Sequence, residues 1–328
     1  MKRLAFALGL LIVLMFAASL VIGPASIGVI EGIRGLIFGG DGPVPIVMRE
    51  IRLPRAILGA TIGAGLGLSG AALQGYLRNP LAEPGLLGVT GTASLGAILA
   101  IQTGFSALMP LALPGAALLG AVIGVGVLMG LAAGRGGALL LILAGIALAQ
   151  LSAALSALVL NLSPNPYAAQ EIVFWMMGSL ADRSMIHVAL ALPVMAVGWV
   201  LLLGLGRGLD ALTLGEDAAA ALGTDLRWLR WRVVLGTACA VGGGTAVAGG
   251  IGFVGLVVPH LLRPLTGGQP SRLLWSSALG GAALLLAADI TVRLLLPERD
   301  LKLGVVTALI GVPLFVHMLL NARREGLG

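Results

Sequence analysis

Apolar residues along this chain gather into runs long enough for a helix to cross a hydrocarbon layer, about 20 residues each. They fall at about 4–23, 55–76, 86–103, 110–133, 138–161, 186–205, 231–249, 250–263, 276–296 and 303–321. The alternation of outward apolar and inward polar residues that marks a membrane β-barrel is absent. The pattern predicts an all-α, polytopic membrane protein with about ten transmembrane helices in a single domain over residues 1–328. The eighth run is short and ends at Pro259.

Two breaks interrupt this pattern. LRNPLAEPGLLGV at 77–89 sets an Arg, an Asn, two Pro and a Glu between apolar segments. Gly249–Pro259 is the second. Irregular backbone at membrane depth is tolerated only where protein or a water-filled cavity surrounds it, so both breaks imply a multi-helix core with a pathway. Their early positions in two halves suggest internal repeats at about 55–161 and 231–321, an arrangement frequent in transporters.

Composition agrees with a membrane location. Only 10% of the 328 residues are charged, against about 25% in soluble domains, and the mean hydropathy is +1.06. Glycine supplies 51 residues, crowded into GAGLGLSGAALQG, GAVIGVGVLMG and VGGGTAVAGGIGFVG. Such small residues let transmembrane helices approach closely. The net charge of +6 reads as loop charge that orients the chain, not as a nucleic-acid surface. With the N-terminus cytoplasmic, the inner loops carry twelve basic residues, Arg78, Arg135 and Arg207 among them, and the outer loops eight, including Arg183 and Arg299. Both termini are therefore expected in the cytoplasm. Lys2 and Arg3 precede an apolar run longer than a signal-peptide core, so the first run is read as an uncleaved span. The lone Cys239 sits in a Gly/Ala segment and reads as a buried thiol.

The source of energy lies elsewhere. No GxxxxGK[ST] phosphate loop occurs, and neither Lys2 nor Lys302 follows a glycine. Asp289 is the clear acid inside a span. Arg293, four residues on, shares its helix face, so a structural ion pair outweighs a proton relay. On the expected cytoplasmic side, LDALTLGEDAAAALGTD at 209–225 places Glu216 and Asp217 at the start of an Ala-rich helix, where negative charge is favoured, and Gly223 at its stop. That segment is expected to be a short helical lever, held outside the bilayer and docked on a partner. In the fifth run, Gln150, Ser152 and Ser156 are candidates to line a path, although Ser and Gln also bond between helices. His187, His260 and His317 show no ligand spacing, and Met176 and Met177 read as packing residues; no metal site is expected.

The motifs now in view resemble the permease subunits of FecCD-type ABC importers, which carry iron–siderophore complexes, haem and cobalamin. The matching pieces are IRLPR, SGAALQGYLRNPLAEPGLLGVTG, FWMMGSL, LDALTLGEDAAAALG, GGIGFVGLVVPHLLR, ADITVR and LKLGVVTALIGVPLFVHMLL, in family order from about residue 50 to the end. The resemblance implies a homodimeric type II ABC importer permease in the bacterial inner membrane, its path at the dimer interface. It implies two ATP-binding cassette subunits that hold ATP and magnesium, a periplasmic binding protein that delivers the chelate, and no cofactor in this chain. By this resemblance Arg52, Arg55 and Arg293 dock the binding protein. Leu214, Gly215, Glu216, Asp217, Ala218, Leu222 and Gly223 match the helix that contacts the ATPase. Asn79, Pro80 and Leu81 match the cytoplasmic end of the path, where they are expected to form the inner gate; a rigid hairpin is the alternative. An iron chelate, siderophore or haem, is the expected cargo, with cobalamin as the alternative. A stand-alone secondary transporter or channel is the reading from another class.

Overall fold

The computed structural model describes residues 2–109, 111–132, 137–295 and 301–325. Arg135 and Arg299 lie outside the described residues. The chain is helical, and no strand occurs among the described residues.

The helices are α1 (Lys2–Val21), α2 (Val29–Phe38), α3 (Pro43–Ile46), α4 (Leu53–Leu77), α5 (Val89–Gln102), α6 (Ala112–Leu131), α7 (Gly137–Asn161), α8 (Pro166–Met176), α9 (Met185–Leu203), α10 (Gly206–Leu212), α11 (Glu216–Ala221), α12 (Leu226–Ala248), α13 (Val254–Leu262), α14 (Pro270–Leu295) and α15 (Leu303–Glu325). A π-helical turn, Val47–Arg52, runs α3 into α4, and a 3-10 turn, Pro84–Leu87, precedes α5. Each of the ten apolar runs coincides with one helix. Among the described residues, seven helical stretches are long and apolar enough to cross a membrane, and α5 and the Leu303–His317 part of α15 are shorter apolar stretches. The eighth run is a correction. Its helix α13 has nine residues and rises only about 14 Å, so it reaches across only with the non-helical lead-in at Gly249–Phe253. That lead-in is tolerable because α13 is buried within the bundle. The apolar pattern did not announce α2, α8 or α10.

Burial orders the bundle. α4 and α12 are buried over 78% of their apolar windows, whereas α1 is buried over 11% of its own; the first two form the centre and the last lies at the rim. Small residues set the spacing. On α4, Gly63 lies against the Gly281 carbonyl of α14, Gly67 against the Ser277 carbonyl and Gly70 against the Gly255 carbonyl of α13. Gly96 and Gly120 do the same for α5 and α6, and Gly198 brings α9 onto α12 at Gly236 and Ala240. At each of these contacts a methyl group would overlap a backbone atom. The glycines thus replace the hydrophobic drive that lipid cannot supply between apolar helices.

Candidate functional site

Three regions gather the polar chemistry: an arginine cluster at one end of the bundle, the turn at 78–88, and the segment between α9 and α12.

At the first, Asp289 of α14 is 1% exposed. Arg55 of α4 grips it with Nε at 3.0 and 3.1 Å from the two carboxylate oxygens and with a terminal nitrogen at 2.8 Å. Arg293 closes on the same carboxylate at 2.9 Å. The expected Asp289–Arg293 pair is present, extended to a triad by a residue 234 positions away. Arg293 also donates to the Ser19 and Ile22 carbonyls at 2.8 and 2.7 Å and to the Ser19 hydroxyl. Arg52 donates to the carbonyls of Leu20, Val21 and Ala25. The last carbonyls of a helix lack intrahelical partners, and basic side chains satisfy them. Arg52 and Arg293 therefore cap α1, the least buried of the seven long apolar stretches. Arg49 caps α2 in the same way through the Leu36 and Ile37 carbonyls, both at 2.9 Å.

This geometry bears on the docking expectation. Arg52 and Arg293 are 4% and 7% exposed, with their donors turned onto the chain's own carbonyls. As arranged, neither presents a free fork to a partner. Arg55 keeps a side chain 17% exposed.

At the turn, Arg78 takes a left-handed conformation with φ of 49° and closes α4. The Asn79 side chain accepts from the Leu81 amide at 2.9 Å, an Asx turn that substitutes for a helical bond. Asn79 and Pro80 are exposed, and Leu81 is half-buried. The 3-10 turn beyond sits against α7, where Gly145 lies under the Leu86 carbonyl, while Pro84 packs beside Gly255 of α13. Burial lifts the Glu83 carboxyl above the ordinary range, offset in part by the Phe253 amide.

The path-lining trio is divided. Ser152 and Ser156 are buried, Ser152 donating to the Leu148 carbonyl at 2.8 Å and packing against Gly91 of α5. Gln150 is exposed. Successive helical residues turn by about 100°, which puts Gln150 about 200° from Ser152. The two serines serve helix packing, and Gln150 alone remains on an outward face. Met176 and Met177 line a cavity of about 530 Å³ with Gly304 and Pro313. His187 is tied into the start of α9, its Nδ1 accepting from the Ser184 amide at 3.2 Å. His187 and His260 lie on separate elements, α9 and α13.

Between α9 and α12, the expected single lever is two short helices. Gly215, with φ of 105°, separates α10 from α11. Glu216 and Asp217 open α11 as expected. Gly223, with φ of 85°, closes it, and the Thr224 amide returns to the Ala219 carbonyl. Leu214 and Leu222 stand 68% and 66% exposed beside these acids. Asp210, which sequence reading passed over, fastens α10 to α14. It accepts from the Ser271 amide at 2.9 Å and from Gln269 at 3.1 Å. Its signal was the helix-capping preference of Asp, but the capped helix begins some 60 residues later.

Three comparisons bear on what this arrangement does. The sequence model of the FecCD transport family matches residues 10–321. The chain is 42% identical over 274 residues to the vitamin B12 import system permease protein BtuC of Vibrio cholerae, covering 83% of this chain and 82% of that one. It is 39% identical over 277 residues to the Fe(3+) dicitrate transport system permease protein FecD of Escherichia coli, covering 84% and 86%. A solved structure described as an inward-facing conformation of a metal-chelate type ABC transporter superposes with a TM-score of 0.86 at 33% identity, covering 98% of this chain and all of that one.

Proposed function

The chain belongs to the FecCD transport family and is an ABC importer permease, and from that premise we propose that it moves a bulky metal chelate across the inner membrane by alternating access. A corrinoid is the first cargo to test, because the 42% identical relative is named for vitamin B12 import. A ferric chelate, the expectation from sequence, is the second reading, supported by the 39% identical relative named for ferric dicitrate.

In this reading two copies form the path, with two ATP-binding cassette subunits beneath them and a binding protein above. Both termini are cytoplasmic, and residues 55–161 and 231–321 are related halves. The single observation that carries the coupling role is the α10–α11 hairpin. It is seated on the core by Leu209, Leu212 and Ala219 and presents Leu214 and Leu222 outward beside Glu216 and Asp217, the form of a knob for another protein's groove. Gly215, Ala218 and Gly223 shape that knob. Asn79, Pro80 and Leu81 act as the inner gate. Of the three docking arginines, Arg55 keeps the role and Arg52 and Arg293 support it from behind.

The test is ATP hydrolysis by the assembled transporter in nanodiscs, with binding proteins loaded with cobalamin, ferric siderophore or haem. Stimulation by the cobalamin-loaded protein alone supports the first reading. Stimulation only by a ferric or haem-loaded protein replaces it with the second.

A further inference from the structure

At the end of the bundle opposite the α10–α11 hairpin, a cavity of about 270 Å³ opens among α8, the start of α9 and the 105–107 turn. α9 runs from this cavity to the hairpin, which fixes the two at opposite ends. Its walls include Ser106, Pro114, Glu171, Trp175, Arg183 and His187. Taking about 30 Å³ for each water, it has room for a solute of several heavy atoms.

The chemistry of the walls is lopsided. Arg183 is mostly buried, and its Nε is enclosed without a hydrogen-bond partner. Among the described residues, no hydrogen bond or ion pair reaches its guanidinium. The adjacent Asp182 attracts it only through space, and burial lowers its basicity. Its terminal nitrogens stay open to the cavity, and a guanidinium is built to fork a carboxylate. His187 adds a second donor. Its Nδ1 accepts from the Ser184 amide, which leaves the proton on Nε2. Glu171, exposed on the wall, is an acceptor and opposes a second negative charge.

We propose that this cavity binds a small carboxylate that also carries a hydroxyl or ammonium donor, of the hydroxy-acid or amino-acid class. Arg183 and His187 Nε2 hold the carboxylate, and Glu171 accepts from the donor and disfavours dianions. The inference does not depend on the transport reading.

Calorimetry and thermal shift on the purified permease in nanodiscs test it, with lactate, glycine, acetate and phosphate as probes. Lactate or glycine is expected to bind best. Arg183→Gln should weaken that binding about 10- to 100-fold, the worth of a charge-assisted contact, with an unchanged melting temperature in the absence of ligand. Glu171→Gln, at an exposed position, should leave acetate binding intact and abolish the preference for lactate or glycine. Four results overturn the proposal: no binding of any probe, equal binding by Arg183→Gln, phosphate preferred by the unaltered protein, or an Arg183→Gln defect confined to association with a binding protein. The last would make Arg183 a docking residue instead.

Discussion

Replacing Asp289 with Asn keeps the shape of the side chain and removes the charge on which two arginines converge. Asp289 is 1% exposed, and Arg293 lies beside it at 7%. Removing one partner of a buried ion pair costs about 3–5 kcal/mol, because the other charge is left uncompensated. Arg293 keeps its bonds to Ser19 and Ile22, and Arg55 is partly hydrated. Both soften the loss, so the low end, about 3 kcal/mol, is expected. At about 2–4 °C per kcal/mol for large domains, the melting temperature should fall by about 6–12 °C. Cys239 on α12, the sole thiol and only partly accessible, reports unfolding through a thiol-reactive dye. Arg55→Gln should cost less, because the Asp289–Arg293 pair survives it. The double variant should cost less than the sum, as expected for groups in contact. A fall under about 2 °C for Asp289→Asn, or strict additivity, would refute the triad as a structural unit.

Three further outcomes follow from the end of the bundle that holds the 78–88 turn and the α10–α11 hairpin. Burial lifts the Glu83 carboxyl above its ordinary 4.5, so the folded state holds that proton more tightly than the unfolded chain. That contribution to stability is full below 4.5 and is lost as pH rises through the lifted value. Glu83→Gln should therefore melt higher than the unaltered protein at neutral pH, with the gap closing as pH falls through the lifted value and closed by 4.5. Asn79→Gly with Leu81→Ala removes the Asx turn and the half-buried side chain, and should raise solute leak in liposomes without ATP; unchanged leak from a folded double variant makes the turn a rigid hairpin. Asp210→Ala, which frees α10 from the start of α14, should cost about 1 kcal/mol of stability and lower transport several-fold while basal ATP hydrolysis persists; equal losses in both would show that the tie is only structural.

The apolar runs made the bundle legible because each span must satisfy its own backbone bonds within lipid. Length and composition alone then locate the helices. The same rule hid α8 and α10, which lie between spans and carry no such constraint. Asp289 and Arg293 were readable because four residues make one helix face. Arg55 was not readable as their partner, because tertiary packing alone brings position 55 to 289. The capping of α1 by Arg52 and Arg293 was not readable for a related reason. Sequence shows that a guanidinium is present, but not that α1 ends beside it with unpaired carbonyls. Gln150, Ser152 and Ser156 divide for a simpler reason: helical geometry sets Gln150 on a different face from the two serines. The lever at 209–223 was legible in its acids and its glycine stop, but α10, set apart from α11 by Gly215, was not read as a helix of its own.

The most direct measurement is uphill uptake into proteoliposomes that hold this chain with or without its ATP-binding cassette partner. Accumulation should require the partner and ATP, and proton or sodium gradients should not substitute for them. Concentrative uptake by this chain alone on an ion gradient would contradict the account.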